Sequence, residues 1–504
     1  MRRALTQLPW IAPVLLTAWL LFKLLTLFAA RVGYPFDIEW MEGGMLVHVW
    51  RLRQGLPLYA APSADFIPYI YPPFYPFVLS LLGEPSYAIG RTVSLVGALA
   101  AAAAAVFAVR REGAPWGAAI AAGGLFLSCY DESGTFYDIV RADAFAIGLG
   151  AWSLVLARVG TRRALVASGL LLTLTFFTKH NYAAFGVPIA LWLWGTRGWR
   201  EALWFGAWSA GPALIGLIGL EIATDGYFLT YLVGVPTAHP LVAERAWPLS
   251  EKELLTCLMW TTGAAALVGL AQLRAFGRGA AFWLSMLGMA VGLSILMRAH
   301  HGGYINVLMP GHWALAVCGA AVLGTAARRW EHPVSAIAVA GLLSWQLWDG
   351  RWDDSRMIPT AEDRAAGEKV IAVIAHVEGE VFAPQFAWYP AMAGKTPSLP
   401  LISLWDIDHK RGPLKKDAAV VKKALAEHRW AAVLTSAKDI KYELPLYYTK
   451  SQRIPLPATA MNTRSGYRVK PEWLWLPKEV NDAPSSEEEA EEPASTADPE
   501  APGG

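Results

Sequence analysis

The architecture of this chain follows from residues 9–44, which read PWIAPVLLTAWLLFKLLTLFAARVGYPFDIEWMEGG. The apolar run over residues 9–30 has the length of about 20 residues that crosses the hydrocarbon core of a bilayer. Its end lacks the small-x-small pattern of a signal-peptide cleavage site, so we expect an uncleaved anchor. Three carboxylates follow at once, namely Asp37, Glu39 and Glu42. The stretch therefore predicts a membrane helix that leads into an acidic loop.

The composition of the whole chain is typical of a multi-pass membrane protein. Of its 504 residues, 55% are hydrophobic and 17% are charged, whereas soluble proteins average about 45–50% apolar and about 25% charged residues. The 24 tryptophans point the same way, because Trp concentrates at membrane–water interfaces. A net charge of only +2 gives no electrostatic basis for binding nucleic acid. We therefore expect a lipid bilayer as a partner and exclude an ordinary soluble enzyme.

Eleven apolar segments are predicted to span the membrane: 9–30, 87–109, 115–130, 143–157, 164–178, 182–195, 202–222, 254–273, 280–297, 308–326 and 334–348. Alternate connections between them carry arginine clusters such as Arg110-Arg111 and Arg328-Arg329, and such clusters are typical of cytoplasmic loops. The other connections are richer in Asp, Glu, Tyr and Pro. These connections, and everything after the last span, are predicted to face outward.

The composition divides the chain into three predicted regions. Residues 1–350 form the membrane domain, 351–478 a small extracytoplasmic α/β domain, and 479–504 an acidic disordered tail. Within the second region, the patterns predict an amphipathic helix at 361–376, a strand at 380–383, a second helix at 415–428 and a second strand at 430–435. The predicted fold class is thus mainly α: a polytopic helix bundle with a small C-terminal α/β domain.

The acidic loop is the first candidate for chemistry. Asp37 and Glu39 alternate with bulky apolar residues, so both acids could face a polar cavity. Carboxylates near a membrane are costly unless they face protein or water, which makes them functional candidates. A solvated loop with incidental acids is the alternative.

The second outward loop carries Asp138, Arg141 and Asp143 at near-helical spacing. Asp138 and Arg141, three residues apart, could form a structural ion pair. Alternatively, Asp138 or Asp143 could bind sugar hydroxyls or position a catalytic base. We consider all three as substrate-binding candidates.

Two further outward segments carry polar candidates. In Lys179-His180-Asn181, the lysine suits a phosphate and the other two suit sugar hydroxyls, although the lysine could simply anchor a helix end. The last outward loop between spans offers Arg298, Tyr304 and Asn306 as substrate contacts.

Metal ligands are not predicted. His300 and His301 are neighbours, which rarely point at one centre, and no HExxH motif accompanies them. Cys129, Cys257 and Cys318 lie in or beside apolar runs without any CxxC spacing, so we expect small core residues rather than a ligand cluster.

The acidic loop is followed by Gly55-Leu56-Pro57-Leu58-Tyr59 and then by YPPFYP at residues 71–76. In this order, the three motifs resemble the GT-C superfamily of integral-membrane glycosyltransferases. The resemblance covers residues 1–350. It is strongest to the bacterial polyprenyl-phosphate-sugar branch, which is allied to the protein mannosyltransferases and the lipid A aminoarabinose transferases.

The resemblance implies roles for acids of the first outward loop and for Arg91. An acid of the first outward loop is the catalytic base in this family, and the matching position is Asp37. The family often has two adjacent acids, whereas this chain has Asp37-Ile38-Glu39, so either Asp37 or Glu39 could be the base. Arg91, in an Arg-x-x-Ser pattern, would contact the lipid-linked phosphate; the alternative is an arginine that extends toward the headgroups. Glu42 is a further substrate-binding candidate.

The activity implied is inverting transfer of a sugar from a polyprenyl-phosphate donor to an envelope glycan, lipid or protein. It would occur at the periplasmic face of the bacterial cytoplasmic membrane. The chain has no Walker or dinucleotide-binding motif, which favours a lipid-linked donor over a nucleotide sugar. No cofactor is firmly implied, and a divalent cation stays open. The alternatives are a transporter or flippase of lipid-linked sugars, which would have broken, repeat-related helices, and a non-catalytic scaffold for envelope assembly.

Overall fold

A computed structural model describes residues 7–272, 277–437, 440 and 442–478. The predicted disordered tail, residues 479–504, lies outside the described residues.

The described chain is mainly helical. Its α-helices of six or more residues are α1 (Ile11–Val32), α2 (Glu42–Arg53), α3 (Phe74–Leu82), α4 (Tyr87–Arg111), α5 (Trp116–Ser128), α6 (Ala142–Val159), α7 (Arg162–Thr178), α8 (Gly186–Arg197), α9 (Trp199–Ala223), α10 (Ser250–Leu255), α11 (Met259–Ala271), α12 (Arg278–Ala299), α13 (Met309–Trp330), α14 (Pro333–Asp349), α15 (Ala361–His376), α16 (Leu401–Ile407) and α17 (Ala419–Ala426). Shorter helical turns include Leu8–Trp10, His180–Phe185, Tyr227–Leu229, Thr230–Gly234, Val235–Thr237, Arg245–Leu249, Thr256–Leu258, Ile305–Leu308, Pro384–Phe386, Tyr389–Met392 and Leu444–Tyr447.

Seven helical stretches of the described chain are long and apolar enough to cross a membrane: Leu8–Val32, Tyr87–Arg111, Ala142–Val159, Trp199–Ala223, Arg245–Ala271, Arg278–Ala299 and Ile305–Trp330. The other four predicted segments are helices at their predicted places, but α5, α7, α8 and α14 have only 13, 17, 12 and 17 residues. The predicted count of eleven is therefore not confirmed. Part of the apolar length goes instead into buried turns, such as residues 129–141 after α5.

The two ends of the helix bundle differ in charge. At one end, the guanidinium of Arg111 donates to the backbone carbonyl of Arg158, and Arg158 Nε lies 2.7 Å from Glu112 Oε1. Arg328 joins this group through the carbonyl of Gly113 at 2.7 Å. The predicted basic connections around Arg111, Arg158 and Arg328 thus share one end, which we call the basic end. The acidic loop lies at the opposite end, the site end, where α4 begins at Tyr87 and contacts that loop.

The C-terminal region contains a four-stranded sheet. Its strands are β1 (Val381–Phe382), β2 (Ala432–Thr435), β3 (Tyr448–Arg453) and β4 (Trp473–Pro477), in the order β1-β2-β4-β3. β1 pairs with β2 in parallel, and the remaining pairs are antiparallel. Helices α15 and α17 and strands β1 and β2 confirm the four elements predicted from the sequence. β3 and β4 were not predicted, because β3 reads YTKSQR and its side chains after Tyr448 are exposed.

The C-terminal region packs on the acidic loop. The backbone N–H of Arg464 donates to the carbonyl of Ile38 at 2.8 Å, and Ser465 forms an isolated β-bridge with Glu39. Aromatic side chains extend the contact: the rings of Phe36 and Tyr389 have centroids 5.7 Å apart. The acidic loop is therefore enclosed between the helix bundle and the C-terminal region.

Candidate active site

Glu42 fixes the conformation of the acidic loop. It begins α2, and its carboxylate accepts from the backbone N–H groups of Ile38 at 2.6 Å and Val140 at 2.8 Å. It also forms an ion pair with Arg91 at 2.8 Å, and neither side chain is exposed. Burial raises the pKa of Glu42, but the neighbouring Arg91 guanidinium outweighs it and the net pKa is lowered. Glu42 is thus an ionised structural carboxylate rather than a group directed at a ligand.

Arg91 uses all five of its N–H groups within the protein. Two donate to Glu42, at 3.0 and 2.8 Å. The others donate to the backbone carbonyls of Arg31 at 3.0 Å, Tyr34 at 2.5 Å and Phe36 at 2.7 Å. A guanidinium has five such donors, so none is left for the phosphate contact expected from the sequence. Arg91 instead ties the acidic loop to α4.

Asp37 is the acid with spare hydrogen-bonding capacity. Its Oδ1 accepts from the backbone N–H of Gly43 at 2.8 Å and from the Tyr87 hydroxyl at 2.9 Å. Its Oδ2 is buried and has no hydrogen-bond partner among the residues that the structure describes. Burial and the nearby negative charge of Glu42 raise the pKa of Asp37 well above its usual range. Such a carboxyl can accept a proton from a ligand placed at Oδ2.

Glu39 lies against a cation. Its Oε2 accepts from Arg141 at 3.0 Å and from the backbone N–H of Met41 at 3.2 Å. Burial raises the pKa of Glu39 to about 7, although Arg141 acts in the opposite direction. Arg141 also donates to the Tyr71 hydroxyl at 3.1 Å. Its Nε is buried and has no acceptor in the described part of the chain.

Asp143 connects three of the predicted substrate residues. It forms an ion pair with Lys179 and accepts from Asn306 Nδ2 at 2.7 Å. Beside Lys179, the buried atoms His180 Nδ1 and Asn181 Oδ1 lack hydrogen-bond partners within the described ranges. Burial, Lys179 and His300 lower the pKa of His180 to about 4, so its ring is neutral at pH 7. These groups form a polar lining with free donor and acceptor positions.

Asp138 does not pair with Arg141, which corrects the ion pair considered from the sequence. Its Oδ1 accepts from the Tyr130 hydroxyl at 2.8 Å and lies 3.5 Å from Arg31 Nη1. Residues 129–141 form turns and bends rather than a helix, so a spacing of three does not put two side chains on one face. Arg31, at the end of α1, was not predicted as part of this end of the bundle.

Arg298 and Tyr304 make structural contacts within the protein. Arg298 binds both carboxylate oxygens of Glu253, at 2.7 and 2.8 Å, and the carbonyl of Gly303 at 2.8 Å. The Tyr304 ring packs on Phe136 with centroids 5.7 Å apart. Of the three predicted residues in this loop, only Asn306 joins the Asp143 group.

Several residues around the acids were missed by sequence reasoning. Tyr87 lies one helical turn before Arg91, so the (i, i+4) spacing could have identified it. Tyr71 belongs to the YPPFYP motif but carried no predicted role. Asp406 follows no motif: burial raises its pKa to about 8, and Arg141 is close enough to oppose this. No local signal places this acid of the C-terminal region beside the membrane domain.

Comparison with known proteins identifies the fold of this chain. No family model and no curated protein matches the sequence. Among solved structures, ArnT from Cupriavidus metallidurans bound to undecaprenyl phosphate matches with a TM-score of 0.56 and 12% identity, over 94% of this chain and 99% of ArnT. This chain has the GT-C fold. The apo form of the same ArnT matches with a TM-score of 0.51 and 13% identity, over 93% of this chain and 98% of ArnT. An Archaeoglobus fulgidus oligosaccharyltransferase tethered with an acceptor peptide has a TM-score of 0.48 at 11% identity, over 94% and 76% of the two chains.

The GT-C fold and the seven apolar helices together make the chain a multi-pass membrane protein. Within this fold, the acidic loop and the polar lining around Asp143 both lie at the site end. Arg141 connects them, since it contacts Glu39 directly and acts electrostatically on Asp143.

Proposed function

We propose that the chain is a membrane glycosyltransferase that moves a sugar from a polyprenyl-phosphate donor to a hydroxyl of an envelope glycan, lipid or protein. The observation that carries the proposal is the Oδ2 atom of Asp37, which is buried and has no partner among the described residues. The cation Arg141, which is bound to Glu39, lies at the same end of the bundle. Support for the donor class comes from the fold, because the similar ArnT structure is described as bound to undecaprenyl phosphate.

The donor phosphate is assigned to Lys179 and Arg141. Both cations act on Asp143 and are therefore neighbours. Arg141 has an unused Nε within the described chain, and a lysine binds phosphate as a point charge. As the bond to the sugar breaks, negative charge grows on the phosphate, and cations placed in advance stabilise it; removing one such group typically costs about 10²–10³ in kcat.

Asp37 is assigned as the base. The acceptor hydroxyl attacks the anomeric carbon while Asp37 Oδ2 takes its proton, and the lipid phosphate leaves from the opposite side. A single displacement inverts the configuration, in contrast to the two displacements of retaining glycosidases. Burial raises the pKa of Asp37, and a carboxylate with a higher pKa is a stronger proton acceptor once it is ionised. Glu39 is less suited, because it is already bound to Arg141.

The proposed reaction needs no cofactor, since phosphate is a good leaving group and the side chains of Lys179 and Arg141 stabilise it. The C-terminal region would shield the reacting atoms from water and contact the acceptor. We place the site end at the periplasmic face of the bacterial cytoplasmic membrane, where lipid-linked sugars replace nucleotide sugars as donors.

The test compares cells with and without the protein by mass spectrometry of envelope glycans, glycolipids and glycoproteins. We expect one sugar to be missing from one component, and its lipid-linked form to accumulate. Complementation with the D37N/E39Q double variant should leave the sugar missing. A flippase would instead block donor translocation and needs neither acid as a base, so restoration of the sugar by the double variant would contradict the proposal.

A second measurement uses purified protein and undecaprenyl phosphate. We expect undecaprenyl phosphate to raise the melting temperature of the wild type, and K179A to reduce this shift by most of its size. R163A serves as the matched control, because that arginine is exposed in the first turn of α7, at the basic end. Equal shifts for all three proteins would remove Lys179 from the phosphate site.

A further inference from the structure

Two thiols and an imidazole meet at the site end, away from the acidic loop. Cys129 follows α5, Cys257 lies in the turn Thr256–Leu258 before α11, and His312 lies in the first turn of α13. The Sγ atoms of Cys129 and Cys257 are 3.2 Å apart. One ligand atom from each of the three residues lies within 4.8 Å of the other two, and all three residues are buried. The three residues lie far apart in the sequence, so no local spacing could indicate that they meet.

Two thiolates and one imidazole are a ligand set that zinc takes in proteins. For Zn–S bonds of about 2.3 Å at a tetrahedral angle, two sulfurs lie about 3.8 Å apart. The observed sulfur separation needs only a small side-chain rotation to reach this value. Cys318 provides the contrast: it is buried too, but its Sγ contacts the backbone carbonyl of Trp283 and it does not join the cluster.

His312 is held in place by oxygen atoms. Its Nδ1 lies 3.3 Å from Ser133 Oγ, and its Nε2 lies 3.3 Å from the backbone carbonyl of Glu253. Glu253 in turn accepts from Nε and one terminal nitrogen of the Arg298 guanidinium. A histidine that binds a metal through one nitrogen usually has its other nitrogen bound to such an oxygen, which sets the orientation of the ring.

A cavity connects the cluster to the outside. It has a volume of about 220 Å³ and is lined by Cys257, Glu132, Asp131 and Thr256, among others. Glu132 is exposed, and its carboxylate is close enough to Cys257 and His312 to interact with both electrostatically. The cavity therefore offers an ion a path of entry from the outside, past the Glu132 carboxylate.

We propose that Cys129, Cys257 and His312 bind one Zn²⁺ ion, whose fourth coordination position faces the cavity and is filled by water. The ion fastens together the site ends of three helical segments that are far apart in the sequence. It stabilises the bundle and takes no part in glycosyl transfer, so the proposal stands or falls independently of the proposed function.

The experiment measures metal in the full-length protein, purified in detergent without chelators. Elemental analysis should find about one zinc per chain in the wild type, and most of it should be lost in C129S, C257S and H312N. C318S is the matched control and should keep its zinc. Monodispersity in size-exclusion chromatography verifies that each variant is folded.

A titration of wild-type protein avoids dependence on variants that fold poorly. After removal of bound metal with a chelator, added Co²⁺ should produce the thiolate-to-cobalt charge-transfer absorption and the strong visible bands of tetrahedral cobalt. Zn²⁺ should abolish both signals and raise the melting temperature by several degrees. Three results would each overturn the proposal. The charge-transfer absorption is absent, all three ligand variants retain zinc, or the wild type is purified without metal and mass spectra show a Cys129–Cys257 disulfide.

Discussion

At the scale of single residues, the acids of one short loop have separate tasks. Glu42 is ionised and fully used by Arg91 and by backbone N–H groups. Asp37 has one oxygen without a partner in the described chain, and Glu39 forms an ion pair with Arg141. The division depends on what surrounds each carboxylate, since the three are the same kind of group in the sequence.

Replacement of Asp37 with Asn should reduce donor cleavage without reducing the stability of the fold. Asn keeps an oxygen for Gly43 and Tyr87 but cannot accept a proton, so donor cleavage should fall by roughly 10²–10⁴. The folded-state pKa of Asp37 is raised, so the wild type loses stability as the pH rises through that pKa, and the variant does not. Thermal unfolding at about pH 6 and about pH 8 should therefore find D37N at least as stable as the wild type at the higher pH.

The control for this prediction is D353N, because Asp353 is exposed and far from the acidic loop in the sequence. It should keep both the cleavage rate and the melting temperature. An unchanged cleavage rate in D37N would show that Asp37 is not the base.

The pH dependence of the reaction follows from the same burial. Burial raises the pKa of Asp37 and brings that of Glu39 to about 7. A base must be deprotonated to act, so kcat/KM should rise with pH from about pH 5 to about pH 8, above the usual carboxyl range. Steady-state rates across this range provide the measurement. A rate that is already constant at about pH 5 would mean that an ordinary, solvated carboxylate serves as base.

At the scale of elements, the ion pair between Arg91 and Glu42 joins α4 to the first residue of α2. Because both side chains are fully buried, removing one partner leaves an unpaired charge and should cost about 3–5 kcal/mol of stability. R91M and E42Q should each lower the melting temperature strongly, and the R91M/E42Q double variant less than the sum of the two.

The exposed pair between Arg53 and Glu84 gives a control for this prediction, since R53M should change stability by less than about 1 kcal/mol. A role of Arg91 in phosphate binding would give the opposite pattern. R91M would then keep its melting temperature and lose the stabilisation by undecaprenyl phosphate.

The sequence predicts the helices and strands better than it predicts the contacts between side chains. Hydropathy predicts a helix at each apolar segment, and the amphipathic period predicts α15 in full. Pairing could not be predicted where the backbone is irregular: Asp138 turns to Arg31 rather than to Arg141, because residues 129–141 are not helical. Contacts between distant segments, such as Cys129 with Cys257, leave no local periodicity to detect.

At the scale of the whole molecule, the connections around Arg111, Arg158 and Arg328 lie at the opposite end of the bundle from the acidic loop. Alkaline phosphatase fused after residue 478 should be active in the periplasm, whereas a fusion in the Arg110-Arg111 connection should be inactive. Paired β-galactosidase fusions should give the inverse result. An active phosphatase at the basic end would place the acidic loop in the cytoplasm and remove the basis for a lipid-linked donor at this site.

The acidic loop also depends on the order in which the chain is made. Ile38 precedes α2, yet the N–H groups that reach its carbonyl belong to Arg464 and Ser465. More than four hundred residues must therefore be synthesised before this backbone carbonyl has its donors. Until those residues have been made, the loop lacks this part of its cover. The loop can therefore close only after the apolar helices that precede Arg464 have been synthesised.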